Sequence, residues 1–179
     1  MRAKRVRARA PLRLGLAGGG TDVPEYSDQF GGLVLNASID MCVYSTAIVR
    51  GDGLVEFGSS DGARSWCAPA AWPIEAPEEF RLHAAVYNRF IGDYVDREPL
   101  AVTLVTHSDA PNGNGLGASS TLVGSLVGAL AELLKADQPE TLRNTMTIGD
   151  LLTERDPQSR TLTLLLALGA VLHRADVPM

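Results

Sequence analysis

Apolar and polar positions alternate from the first residues of the chain. Val6, Ala8 and Ala10 interleave with Arg5, Arg7 and Arg9, and Leu12, Leu14 and Leu16 continue the run opposite Arg13 and Gly15. Residues 5–17 therefore read as a strand with one wet, basic face. Gly18, Gly19 and Gly20 punctuate it, followed by Thr21, Asp22 and Pro24. A second β-rich stretch over residues 32–50 holds Leu33, Val34, Leu35, Ile39, Val43, Tyr44, Ile48 and Val49. Gly51-Asp52-Gly53 is a turn signal, and Leu54 to Phe57 reads as the partner strand of a hairpin. Residues 59–78, rich in Ala, Pro, Gly and Ser, read as loop. Helical spacing of Phe80, Leu82, Ala85, Val86, Phe90 and Ile91 predicts an amphipathic helix over 79–95. Leu100 to Thr106 reads as a strand and Asp109 to Gly117 as a glycine-rich loop. From Ser119 onward Leu122, Val123, Leu126, Val127, Leu130, Leu133 and Leu134 recur at the spacing of a buried helix, with Ser119 or Ser120 placed to cap it. Gly124 and Gly128 on it read as points of close packing. Strands, one helix, a strand, a glycine loop and a second helix make an α+β layer protein, not the regular alternation of a doubly wound fold.

Composition narrows the function classes. A chain of 179 residues makes one domain or at most two small ones. The formal charge of −5 argues against a dedicated nucleic-acid binder, and 45% apolar residues against wholesale disorder. Cys42 and Cys67 have no CxxC partner and no His at zinc spacing, so reduced thiols in a cytoplasmic protein are expected. The longest apolar run, Leu162 to Leu172, is interrupted by Thr163 and Gly169 and is too short for a membrane span of about 20 residues. The basic start MRAKRVRARA lacks the apolar segment of a secretory signal. It reads either as a transit peptide or as a basic strand face, the second being the commoner solution. There is no internal repeat and no low-complexity stretch.

Two segments carry chemistry. In Ser108-Asp109-Ala110-Pro111-Asn112-Gly113-Asn114-Gly115-Leu116-Gly117-Ala118-Ser119-Ser120, three glycines alternate immediately before a helix. Glycine lets the backbone turn its N–H groups toward a ligand, and a helix start adds unpaired N–H groups and partial positive charge. A polyphosphate suits such a site, with Ser119 and Ser120 in reach of phosphate oxygens or a bound Mg²⁺. It is not a Walker A loop, because no lysine lies between Lys4 and Lys135, and the spacing 113, 115, 117 fails the dinucleotide fingerprint. The plainer alternative is a loop that only closes a strand–helix turn, which needs neither three glycines nor adjacent serines. In the second segment, Ala10 to Asp22, a strand ends in three glycines and presents a hydroxyl and a carboxylate. Asp22 is either an acceptor for the hydroxyls of a polar substrate or an ordinary turn aspartate before Pro24.

Taken together, PLRLGLAGGGTD and DAPNGNGLGASSTLVGSLVGAL resemble the GHMP kinases, in particular the D-glycero-D-manno-heptose 7-phosphate kinase branch. Gly31 to Asp40 is similar to that branch's GG.VLN.TID element, and Leu82 to Asn88 to the helix before its nucleotide loop. The resemblance covers about residues 5–135. It implies an α+β amino-terminal domain like domain 2 of ribosomal protein S5, followed by a carboxy-terminal domain, with the active site between the two. It also implies transfer of the γ-phosphoryl of ATP, with Mg²⁺, to a hydroxyl of a sugar or sugar phosphate. Pro111, Asn112, Gly113, Asn114, Gly115, Leu116, Gly117, Ala118, Ser119 and Ser120 would cradle the ATP phosphates, with Ser119 or Ser120 serving the metal or the γ-phosphate. Arg13, Gly19, Gly20, Thr21 and Asp22 would hold the sugar.

The chain departs from that family at two places. Ala118 stands where the first of a serine triplet is usual. After residue 135 no family motif follows, and the segment that supplies the family's catalytic aspartate has no counterpart, so no catalytic residue is assigned. Asp150, Glu154 and Asp156 read as a solvated face and Leu162 to Leu172 as a short helix. The expectation is a kinase amino-terminal domain over 1–135 and a tail over 136–179, the carboxy-terminal domain being lost by truncation or frameshift. Of His83, His107 and His173, His107 alone falls beside the loop, where hydrogen bonding within the loop is the commoner role. Two functions follow: an impaired cytoplasmic sugar kinase, or a non-catalytic nucleotide- or sugar-binding module or remnant that works only by pairing with a second chain, with neither nucleic acid nor membrane as partner.

Overall fold

The computed structural model describes residues 4–135 apart from 22, 23, 112 and 114. Asp22, Asn112, Asn114, His173 and the expectations for residues 136–179 lie outside the described residues. The elements in order are β1 (Arg5–Ala17), α1 (Pro24–Phe30), β2 (Leu35–Val49), β3 (Leu54–Ser59), β4 (Arg64–Pro69), a 3₁₀ turn (Glu78–Phe80), α2 (Arg81–Tyr94), β5 (Val102–Ser108) and α3 (Ala118–Lys135). The α+β expectation holds.

The strands form one sheet in the order β1-β2-β5-β3-β4. All pairings are antiparallel except β3 with β5, which is parallel. This corrects the expected β2–β3 hairpin. The Gly51–Gly53 turn is real, but β5 inserts between its two arms, and β3 instead folds back on β4, within the stretch expected to be loop. The central place goes to β5 because Val102 and Leu104 are wholly buried and Thr106 nearly so. Arg50 fastens the insertion, donating to Glu56 Oε2 at 2.5 Å and to Thr103 Oγ1 at 2.9 Å, next to the Glu56–Thr103 pair of β3 and β5.

Helices α2 and α3 cover one face of the sheet. Phe57, Leu104, Phe80, Tyr87, Ile91, Leu126, Leu130 and Leu133 form a fully enclosed core between the layers. Each such side chain contributes about 1.5–3 kcal/mol of burial. Two polar contacts fix the helices on the sheet: Ser45 and Ser125 hydroxyls meet at 2.6 Å, and the Tyr87 hydroxyl accepts from Leu100 N–H at 3.0 Å. On the opposite face Arg5, Arg7 and Arg9 are exposed, as the alternation predicts, and Arg7 lies 4.7 Å over the Tyr44 ring.

Alternation predicts Leu12, Leu14 and Leu16 on one inward side. Leu12 is buried, whereas Leu14 and Leu16 are 44% and 59% exposed. The β1–β2 register shifts between Pro11 and Arg13, and the cover supplied by Leu116, Ala118 and Leu122 ends at Leu12. Helix α1, unannounced by the sequence, sits beyond that point.

Candidate nucleotide-binding site

The glycine loop descends from β5 and turns into α3. Gly113, Gly115 and Gly117 all have positive φ, 80°, 75° and 72°, a conformation that disfavours any residue with a Cβ. A Cβ at Gly113 or Gly115 would meet nothing within 4 Å, so the backbone there is bare toward open space. At Gly117 it would lie 3.0 Å from Arg13 Nε. Arg13 N–H also donates to Leu116 O at 3.2 Å. The two chemically suggestive segments, more than 100 residues apart in sequence, are thereby joined.

Helix α3 begins at Ala118, and Thr121 N–H donates to Gly117 O at 3.0 Å to open its ladder. Ser119 and Ser120 therefore lie inside the first turn and do not cap it, a correction to the sequence reading; both are exposed. First-turn N–H groups have no intrahelical acceptor and carry the positive end of the helix dipole. An anion placed over Gly113 to Ser120 would meet those N–H groups and the Arg13 guanidinium. Among the described residues no group of three or more His, Cys, Asp and Glu is gathered to hold a metal. A divalent cation at this loop would take hydroxyl oxygens of Ser119 or Ser120 and oxygens of the anion itself, donors that suit Mg²⁺.

At the end of β1, Gly18 is structural. Its φ is 76°, and a Cβ there would fall 1.9 Å from Leu33 O. The Thr21 hydroxyl closes the same turn, donating to Gly18 O at 2.7 Å and accepting Leu33 N–H at 3.1 Å. That hydroxyl is engaged within the protein, whereas Gly19 and Gly20 face open space.

A pocket of about 270 Å³ adjoins the loop and is bounded by Ser59, Asp61, Glu79, His83, His107, Gly113 and Ser119, among others. Sequence reasoning missed Ser59, Asp61 and Glu79, which come from the end of β3, the β3–β4 turn and the 3₁₀ turn. His83 is 3% exposed and its Nε2 lies 3.2 Å from Thr106 Oγ1. Thr106 Oγ1 donates to Gly58 O at 3.3 Å, so Nε2 carries the proton and Nδ1 is a bare acceptor. Nδ1 is buried and without a partner among the described residues. Burial lowers the His83 pKa from 6.5 to about 4, so the ring is neutral at pH 7.

His107 spans two carboxylates. Its Nδ1 lies 2.6 Å from Asp61 Oδ1, and its Nε2 faces Asp109 Oδ1 at 3.7 Å. Asp61 also accepts Ser108 N–H at 3.0 Å, and Asp109 Oδ2 accepts Cys42 N–H at 2.8 Å. This chain of contacts pins the start of the glycine loop to the sheet, which agrees with a loop-bonding role for His107. Burial pushes up the Cys42 thiol, and burial followed by the Asp109 carboxylate pushes up the Tyr44 phenol. Both groups stay protonated at neutral pH.

Residues 81–154 match the family model for the GHMP kinase N-terminal domain. D-glycero-alpha-D-manno-heptose 7-phosphate kinase of Campylobacter jejuni is 42% identical over 132 residues, 73% of this chain and 38% of that protein. The crystal structure of a D-glycero-D-manno-heptose 1-phosphate kinase from Bacteroides thetaiotaomicron superposes with a TM-score of 0.67 at 44% identity, over 72% of this chain and 42% of that one. Lactococcus lactis galactokinase, solved with galactose, shares the fold at 22% identity and a TM-score of 0.59, over 76% of this chain and 34% of that one. The chain thus spans less than half the length of these relatives. Among the described residues no helix is long and apolar enough to cross a membrane.

Proposed function

The chain belongs to the GHMP kinase family, whose amino-terminal domain it carries, and from that premise we propose that it binds Mg-ATP for phosphoryl transfer to a sugar-phosphate hydroxyl. The proposed acceptor is a heptose phosphate and the proposed compartment the cytoplasm. The observation that carries this reading is the cradle: left-handed glycines at 113, 115 and 117, open at the first two, leading into α3 beside Arg13.

Phosphoryl transfer asks chiefly for positioning and for stabilisation of charge on the phosphoryl oxygens. In this reading the N–H groups of the loop and of the first turn of α3 hold the phosphate chain. Arg13, packed on Gly117, adds a fixed positive charge at the rim. Ser119 or Ser120 holds the metal or a terminal phosphate oxygen. The pocket bounded by Asp61, Glu79 and His83 adjoins the cradle and takes the nucleoside end. Gly19 and Gly20 face the sugar, and Asp22 is proposed as an acceptor for its hydroxyls. ATP supplies the phosphoryl group and Mg²⁺ offsets its charge; no residue here is assigned as the base.

The test is equilibrium binding of Mg-ATP to the full chain. Gly115→Val puts a branched side chain into the open cradle at a positive φ, and is expected to weaken binding at least tenfold. Equal binding by the variant, with the fold intact by circular dichroism, removes the cradle from the mechanism. A binding-only module is the second reading, since none of the described residues is assigned as the base. Sustained ATP consumption that requires a heptose phosphate excludes it.

A further inference from the structure

Among the described residues one buried side-chain polar atom has no hydrogen-bond partner, Nδ1 of His83. Leaving a buried acceptor unmet is costly, and folded proteins seldom do so without a reason. His83 forms part of the wall of the pocket beside the cradle. The rest of the ring is engaged: Nε2 meets Thr106 Oγ1 at 3.2 Å, and the Phe57 and Phe80 rings lie against it with centroids at 5.7 and 5.4 Å. The pocket is therefore the side from which a donor can come. Thr106 Oγ1 donates to Gly58 O, which fixes the proton on Nε2 and leaves Nδ1 a bare acceptor. Burial, which lowers the ring's pKa to about 4, keeps it so at neutral pH.

We propose that His83 is the residue by which this pocket selects its base: Nδ1 accepts from an exocyclic amino group, so adenine is favoured over a purine without that donor. The inference rests on the function proposed above, and names the group that sets specificity within it. The other walls fit a base. Val43, Leu82 and Leu122 supply apolar surface, while Gly113 and Ser119 of the cradle bound the same cavity, so a nucleotide spans both. A volume of about 270 Å³ is small for a ligand pocket and suits a single flat heterocycle. The pocket's other strong acceptors are already taken. Asp61 receives Ser108 N–H and lies 2.6 Å from His107 Nδ1, and Glu79 pairs with Arg64 at 3.1 Å. A purine that lacks the amino group leaves Nδ1 as unmet as before binding. Sites built to hydrogen-bond a polar group reject the analogue without it more sharply than apolar pockets discriminate by size.

The test compares two ligands on the full chain at pH 7: Mg-ATP, and the magnesium complex of purine riboside triphosphate, which is ATP without its amino group. The wild type is expected to bind ATP about tenfold more tightly. His83→Leu keeps a side chain of similar size without an acceptor, and should bind the two ligands equally. His83→Asn returns an oxygen near the place of Nδ1 and should recover part of the preference. A merely structural role would weaken both ligands together and leave their ratio unchanged. Circular dichroism checks that both variants fold. A second readout needs no variant: the imidazole ¹⁵N resonance of His83 Nδ1 should move to lower frequency with Mg-ATP and stay in place with the analogue. Equal binding of the two ligands by the wild type overturns the proposal. So does a preference that persists in His83→Leu, or an Nδ1 resonance that Mg-ATP leaves unmoved. A chain that binds neither ligand overturns the proposed function and this inference with it, whereas ATP binding without discrimination overturns this inference alone.

Discussion

His83 makes the acid side of the stability curve a residue-scale question. Its ring is enclosed against Phe57 and Phe80, with centroids at 5.7 and 5.4 Å, and burial lowers its pKa to about 4. In the unfolded chain the same ring titrates near 6.5. Between those values the unfolded state holds one more proton than the folded state, so stability falls as the pH falls. The contribution is present in full above about pH 6.5 and is lost as the pH drops through 4, amounting to about 3 kcal/mol across the window. Urea unfolding at pH 7, 6, 5 and 4.5 is expected to show this loss. His83→Gln cannot take up the proton, so the difference between wild type and variant should shrink steadily toward acid pH. A constant difference at all four pH values means that the ring is not titrating in this window. The same residue marks a limit of sequence reading. A histidine at one position of an amphipathic helix is visible in the sequence, but its enclosure comes from Phe57 of β3 and Thr106 of β5, both remote in the chain, as well as from the adjoining 3₁₀ turn.

At the scale of elements, the readable parts were those whose pattern is set by their own burial. Strand β1, helices α2 and α3 and strand β5 each carry a period fixed by which face meets the core. The β2–β3 turn was equally clear locally, yet it misled about pairing, because β5 enters between those strands from about 50 residues away. Strand β4 was missed because it is an edge strand: Arg64, Ser65, Cys67 and Pro69 are exposed, so it has no apolar alternation to betray it. The glycine cradle was legible because its chemistry is contiguous, whereas Asp61 and Glu79 reach the adjoining pocket only through that unseen β3–β4 turn. What locks α3 under the cradle is the Ser45–Ser125 contact, both residues being essentially inaccessible. Ser125 Oγ donates to Leu122 O at 2.9 Å, so the Ser45 hydroxyl donates to Ser125. Ser125→Ala leaves that donor buried and unmet, at a cost of about 1–3 kcal/mol. The double change Ser45→Ala with Ser125→Ala removes both partners and is expected to cost less than the single one. Chemical denaturation of the three variants checks the ordering, and a double variant weaker than Ser125→Ala would show that packing, not the unmet donor, sets the penalty.

At the scale of the whole molecule, the described fold has one complete layer pair and one bare end. The core between sheet and helices is enclosed, so the domain has the means to fold on its own. The proposed cradle faces open space at Gly113 and Gly115, and a site that encloses little of its ligand binds it weakly, so weak nucleotide binding is the physical expectation. A ligand that binds only the folded state still stabilises it by RT ln(1 + [L]/Kd). With a Kd of about 1 mM and about 5 mM Mg-ATP, that is roughly 1 kcal/mol. For a domain of this size it corresponds to a rise in melting temperature of about 3 °C. Thermal unfolding with and without Mg-ATP is therefore expected to show a small upward shift that saturates with concentration. Gly115→Val should abolish the shift while melting cooperatively, because Gly115 faces open space and supports no core contact. A shift that survives Gly115→Val places the nucleotide elsewhere on the molecule.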